Sequence, residues 1–183
     1  MPRQVFDYDP PERFVVGTVG EPGSRTFFLQ ARGGGRVTSV ALEKQQVTVL
    51  AQRIEELLDE VLRRSGGSAP VPAVAPAELE DADPLDVPVV EDFRVGTMAL
   101  AWDDDRVVVE AQAVVEDGGD ELVEEDDEDG PDLLRVRMPG AMARAFAKRA
   151  TTVVSAGRPP CPFCGLPLDP AGHVCPRANG HRR

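Results

Sequence analysis

The chain has 183 residues and a formal net charge of −12, with 32 acidic residues against 20 basic ones. This length suggests one domain of about 150 residues with appended segments. No apolar run approaches the ~18 residues that a membrane-spanning helix needs, and the first residues form no apolar signal segment. The composition therefore predicts a cytoplasmic protein that does not enter a membrane.

The charge is divided unevenly along the chain. Residues 135–183 contain nine basic residues and one acid and carry +8, which leaves −20 for residues 1–134. Ten of the fourteen residues in 116–129 are acidic. Such a run repels itself and buries little apolar surface, so we interpret it as a solvated loop. The alternative is an acidic arm that masks the basic C-terminal part or docks a basic partner.

The first half of the chain predicts three strands and a helix. Residues 13–19, 25–31 and 36–42 are rich in β-branched and aromatic residues, and glycine-containing turns separate them. An apolar stripe at helical spacing then runs from Val47 to Leu62 and ends at Gly66-Gly67. These signals predict a β-β-β-α unit.

The second half repeats this order after a break rich in proline, alanine and acids. Strands are predicted at 93–97, 106–113 and 132–138, and a helix from Pro139 to about residue 156. The economical fold is α+β, a duplicated β-β-β-α unit with an antiparallel sheet and both helices on one face. Two separate small domains are the alternative, although ~50 ordered residues make a marginal core. The predicted segments are the first half (1–64), an unpacked linker (65–90), the second half (91–156) with its acidic loop (116–131), and a zinc-ribbon-like tail (157–183).

All the cysteines and histidines lie in the last 23 residues. Cys161-Pro162-Phe163-Cys164-Gly165 has the spacing of a zinc knuckle, in which two thiolates bind one ion from a tight turn that glycine permits. Cys175 supplies a third thiolate, and a histidine completes a Cys3His set. An odd cysteine count without a secretory signal argues against disulfides.

The fourth ligand is His173 or His181. We favour His173, because it is two residues from Cys175, whereas an Asn-Gly turn leaves His181 freer. A weak, exchangeable site that uses both histidines is a third alternative. Four candidate ligands in one short tail favour one structural zinc, because a catalytic zinc keeps an open position.

No set of residues outside the tail converges on a reaction. With both histidines near the metal, none remains for acid–base work elsewhere, and Gly33-Gly34-Gly35 lacks the Lys-Ser/Thr of a phosphate-binding loop. Asp103-Asp104-Asp105 is a candidate cation site, but a polar hairpin turn is the plainer interpretation. We therefore favour a non-enzymatic function over a metal-dependent enzyme that uses an open zinc or carboxylate site.

The tail also suggests what the protein contacts. Its arginines form a basic surface for a partner. A protein partner is favoured over nucleic acid, because the tail has a single aromatic residue for base stacking and the rest of the chain is acidic. The sequence predicts neither the partner's identity nor an oligomeric state. The candidate contact residues are Arg158, Arg177, Arg182 and Arg183.

Three stretches carry a resemblance to a known family. They are residues 2–18, which include Phe14-Val15-Val16-Gly17-Thr18, residues 42–47, and the ending from Gly157 to Gly180 with its Cys-Pro-x-Cys-Gly motif. Together they resemble an uncharacterised family of conserved actinobacterial proteins across essentially the whole chain. The resemblance implies a bacterial cytoplasmic setting and supplies no activity or catalytic residue. The zinc assignment comes from the spacing alone.

Overall fold

The computed structural model describes residues 2–116, 129–157, 159–168 and 172–177. Most of the acidic loop lies outside these residues, so its interpretation as a solvated loop remains a prediction. The elements are β1 (Val5–Tyr8), β2 (Arg13–Val19), β3 (Thr26–Gly33), β4 (Arg36–Leu42), α1 (Lys44–Arg64), a 3-10 turn (Ala77–Leu79), β5 (Glu91–Asp103), β6 (Arg106–Ala113), β7 (Leu133–Pro139) and α2 (Gly140–Ser155).

The strands form one seven-stranded sheet in the order β1-β7-β6-β5-β4-β3-β2. The α+β class with a sheet and two helices is confirmed, but the expectation of an antiparallel sheet is wrong. Within each half the three strands are antiparallel, whereas β4 pairs with β5 and β7 pairs with β1 in parallel. The helix α1 lies between β4 and β5 and lets the chain return to start β5 parallel to β4, whereas β1 comes from the start of the chain and adds to the free edge of β7. Derivation of the halves from a duplicated unit remains a prediction.

The strand β1 has no counterpart in the sequence prediction. It is only four residues long, and Asp7 interrupts its apolar pattern. Tertiary contacts hold it: the Tyr8 hydroxyl lies 2.7 Å from Thr38 Oγ1 in β4, and the rings of Phe6 and Phe93 are 6.3 Å apart. Residues 9–12 join β1 directly to β2, so the two edge strands of the sheet are close in sequence and the sheet curls.

Both helices pack on one face of the sheet, as predicted, and share one apolar core with it. The rings of Phe14 in β2 and Phe146 in α2 stack at 4.4 Å. The two helices bury side chains at the same spacing, as amphipathic helices on a common sheet do. The buried positions that share this spacing are Val47, Leu50, Ala51 and Ile54 in α1, and Ala143, Phe146, Ala147 and Ala150 in α2. Leu58 of α1 and Gly140 and Arg144 of α2 are also buried. No helix of the described residues is long and apolar enough to cross a membrane.

The segment 65–90 is packed, contrary to the unpacked linker that its composition predicts. It passes the edge strand β2, where Asp81 accepts hydrogen bonds from Arg13 Nε at 2.7 Å and from Arg149 Nη1 at 3.0 Å. Leu85 then lies buried on the opposite face of the sheet, directly against Gly17. Val71 is buried in the main core as well, so ion pairs and a few separate apolar side chains hold this segment. Its proline- and alanine-rich composition gives no periodic signal of this packing. The domain division itself remains a prediction.

Candidate metal centre

The tail begins after α2 and folds into a tight turn. Pro160 and Pro167 form an isolated antiparallel bridge. Inside it the N–H of Cys161 donates to Leu166 O at 2.7 Å, and the N–H of Gly165 donates to Cys161 O at 2.8 Å. Gly165 has a φ of +75°, a conformation that glycine adopts without a Cβ penalty. The glycine after the second cysteine therefore plays the part that the knuckle spacing predicts.

This turn and the following extended segment bring four metal-ligating side chains together. The ligand atoms of Cys161, Cys164, His173 and Cys175 all lie within 4.8 Å of one another. Cys161 Sγ is 3.8 Å from Cys175 Sγ, and Cys164 Sγ is 3.2 Å from His173 Nε2. Two sulfurs on a tetrahedral zinc are about 3.8 Å apart when each Zn–S bond is about 2.3 Å. The Cys3His cluster can therefore hold one metal ion.

Backbone hydrogen bonds and burial shift the pKa values of two of these thiols in opposite directions. The N–H groups of Cys164 and Phe163 donate to the sulfur of Cys161 and lower the pKa of this thiol to about 6. Burial disfavours the charged form of Cys164 and raises its pKa. Metals bind the thiolate, so Cys161 is the more readily available ligand of the two.

The sequence as a whole matches a family of unknown function. The model described as "Protein of unknown function (DUF3090)" matches residues 6–175. The chain belongs to the DUF3090 family. The match begins in β1 and ends at Cys175, so it contains the complete Cys3His cluster. No curated protein and no solved structure matches the chain.

The remaining candidate residues of this DUF3090 chain lie mostly outside the described residues. These are the alternative ligand His181 and the predicted contact residues Arg158, Arg182 and Arg183. Arg177 is described: it is exposed, and its Nη1 donates to Phe163 O at 3.3 Å. The structure therefore places His173 in the cluster and one predicted contact arginine beside the knuckle. The assignment of each residue as a ligand or a contact remains a prediction.

Exposed apolar side chains surround the cluster, and the sequence prediction did not include them. Phe163, Leu166 and Val174 are 64%, 50% and 79% exposed, and each lies one or two residues from a cluster side chain. The residue pattern contained a signal for this surface. A short tail built around four metal-ligating side chains has no core, so its other apolar side chains are expected to be exposed.

The aspartates at 103–105 form a turn. Asp103 pairs with Arg106 across a two-residue hairpin, and Asp104 and Asp105 have positive φ angles of 49° and 58°. Aspartate tolerates this conformation well, and such turns match the twist of the flanking strands. This agrees with the interpretation as a polar turn. Among the described residues, the Cys3His group is the cluster that fits a metal ion.

Proposed function

We propose that this DUF3090 protein is a non-enzymatic interaction protein whose C-terminal tail is folded by one structural zinc ion. The observation that carries the proposal is the convergence of three sulfurs and one imidazole nitrogen within 4.8 Å. A set of three thiolates and one imidazole suits zinc, and four protein ligands complete its tetrahedral coordination. A catalytic zinc instead keeps a position open for water or substrate.

The burial of the tail supports a structural role for the ion. Among the described residues after 158, the two buried ones are Cys161 and Cys175, so the tail has no apolar core. Chains of this size that lack a core are held by disulfides or a metal, and the free energy of metal binding then becomes free energy of folding. We infer that zinc here replaces the core.

The test is a count of zinc per chain by inductively coupled plasma mass spectrometry on the full chain. We expect one zinc, and we expect Cys164→Ser and His173→Gln to weaken binding in competition with a chromogenic chelator. His181→Gln is the matched control and should bind like the wild type. Zinc loss in His181→Gln with retention in His173→Gln would overturn the assignment of the fourth ligand. A chain without bound zinc would overturn the proposal itself.

The proposed partner is a protein. Two of the three exposed apolar side chains around the cluster are aliphatic, and aliphatic groups pack against protein side chains but do not stack on bases. Arg177 adds a positive charge beside Phe163. Nucleic acid bound through the basic tail is the second candidate, because the sequence of the tail ends in two further arginines, Arg182 and Arg183.

Two measurements separate these candidates. Affinity capture with the full chain and with a chain lacking residues 158–183 should give partner lists that differ if the tail is the contact element. Fluorescence polarisation with generic DNA and RNA at two salt concentrations tests the second candidate. Binding that appears at low salt and falls steeply with added salt would favour nucleic acid, and absence of binding at low salt would exclude it.

The same proposal includes the cellular setting and the origin of the fold. A bacterial, cytoplasmic location and an actinobacterial source are proposed from the family resemblance. Duplication of a β-β-β-α unit is proposed because both halves carry three strands and a helix.

A further inference from the structure

A cleft of about 500 Å3 lies where the tail meets the rest of the protein. Its walls come from the β2–β3 turn, the start of α1, the end of α2 and the metal-binding turn of the tail. None of the described residues that line it is a carboxylate. The residues that line the cleft are Gly23, Arg25, Phe27, Lys44, Val154, Ser155, Gly157 and Pro167.

Arg25 is held rigidly in this cleft. Its Nη1 donates to Ala156 O at 2.9 Å and its Nη2 donates to Val153 O at 3.3 Å, so the guanidinium binds the carbonyl groups at the end of α2. Its central carbon lies 4.9 Å from the centre of the Phe27 ring, within the range of a cation–π contact. These contacts position the guanidinium without neutralising its charge.

Lys44 is the second cation of the cleft. Its Nζ lies 3.9 Å from the position that a Cβ atom would occupy at Gly157, which also lines the cleft. Within the part of the chain that the structure describes, neither Lys44 nor Arg25 forms an ion pair with a carboxylate. The neighbouring Glu43 caps α1 and pairs with Arg94 at 3.1 Å, so the helix end is already satisfied. Two positive charges that no described carboxylate pairs with thus line one cleft in a protein of net charge −12.

We propose that this cleft binds a small phosphate-bearing molecule. Guanidinium and ammonium groups recognise phosphate, the first through its planar fork of N–H groups and the second as a point charge. The Ser155 hydroxyl can donate a further hydrogen bond. The volume lies in the ~300–1,000 Å3 range of small-molecule sites, so the cleft has room for an organic phosphate as well as for inorganic phosphate. Val154 and Pro167 then line space for the organic part.

The tail contributes one wall of the cleft. The inference about this wall rests on the proposed function, because zinc is proposed to fold the tail. Pro167 pairs with Pro160 in the turn that contains Cys161 and Cys164. If zinc folds this turn, removal of zinc should displace Pro167 and leave Arg25 and Lys44 in place. The phosphate group would then keep its two charged partners, and the organic part would lose one surface.

The experiment is isothermal titration calorimetry of the full chain with adenosine monophosphate, inorganic phosphate and adenosine as separate probes. We expect adenosine monophosphate and phosphate to bind and adenosine not to bind. Lys44→Gln should weaken binding about tenfold, as expected when one charge-assisted hydrogen bond is lost. Lys148→Gln is the matched control, because Lys148 is an exposed lysine that pairs with Glu80 outside this cleft. Equal affinities of these two variants would overturn the proposal.

Arg25→Gln is a second variant, with circular dichroism and the melting temperature as checks on folding. A folded Arg25→Gln chain that binds phosphate like the wild type would also overturn the proposal. A single-stranded 12-mer that binds in a Lys44-dependent way, without binding of adenosine monophosphate, would replace the small molecule by nucleic acid.

The zinc-dependent wall has its own test. The wild type stripped of zinc should bind adenosine monophosphate more weakly but still depend on Lys44. Lys44-dependent binding in a chain that binds no zinc would support the phosphate site and refute the structural zinc. Zinc binding without any phosphate binding would support the structural zinc and refute the phosphate site.

Discussion

Arg144 is the most deeply buried charge in the core, and its partners make it a sharp test of how the helices are held together. It lies on α2 and is 2% exposed. Its Nη1 bonds Glu55 and its Nη2 donates to Asp59 Oδ1 at 2.6 Å, both on α1. Its Nε donates to Pro72 O in the 65–90 segment at 3.0 Å. One side chain therefore ties two helices and this segment together.

The two carboxylates are much more exposed than the arginine, at 42% for Glu55 and 70% for Asp59. Glu55→Gln or Asp59→Asn alone should cost about 0.2–1 kcal/mol, because the other carboxylate still neutralises Arg144. The double variant keeps the hydrogen-bond acceptors but leaves a buried cation without a counter-charge, which should cost about 3–5 kcal/mol. The two substitutions should therefore be strongly non-additive, with a coupling energy of at least about 1 kcal/mol.

Urea unfolding followed by circular dichroism measures these energies. With a slope of about 2 kcal/mol per molar urea, the double variant should lower the unfolding midpoint by about 1.5 M or more. Arg144→Met is the control. It removes the buried charge and frees two carboxylates that water can solvate, so it should be less destabilising than the double variant. Additive, small effects in the double variant would refute the idea that Arg144 needs its counter-charges.

Three further outcomes follow from the contacts. The N–H groups of Arg13 lower the pKa of Asp81, so the stabilisation from its carboxylate is full above the unfolded pKa of about 3.9 and is lost as pH falls through the lower pKa of the folded state. In urea unfolding, the cost of Asp81→Asn should be largest at pH 7 and should shrink steadily as the pH falls below that unfolded pKa. Gly17→Ala would place a Cβ 2.5 Å from Leu85 Cγ and should cost about 1–3 kcal/mol in urea unfolding, partly restored by Leu85→Ala. Gly165→Ala strains the knuckle by about 1 kcal/mol and should weaken zinc binding in chelator competition.

Several elements could be predicted from residue patterns because their signals are local. The stripe from Val47 to Leu62 matches the observed helix, since the period of 3.6 residues is imposed by the helix itself. The six predicted strands overlap observed ones for the similar reason that alternation and turn residues are short-range features. The cysteine spacing likewise predicted the cluster, because two thiols in one turn meet without help from distant residues.

Other features depend on residues far apart in sequence. The β1 strand forms because it pairs with the edge of β7 and because its Tyr8 and Phe6 side chains contact Thr38 and Phe93. These partners are distant in sequence, so a run of four residues does not predict the strand. The 65–90 segment is packed because Arg13 and Arg149 meet Asp81 from two other elements.

The helices, most of the strands and the cysteine cluster could be predicted from the residues alone, because each depends on spacings within one stretch of chain. The mixed sheet and the packing of segment 65–90 across its edge became evident only in the folded structure. It alone brought Arg25 and Lys44 together in one cleft. These outcomes depend on burial and charge pairing between residues that are distant in sequence, which no local pattern records.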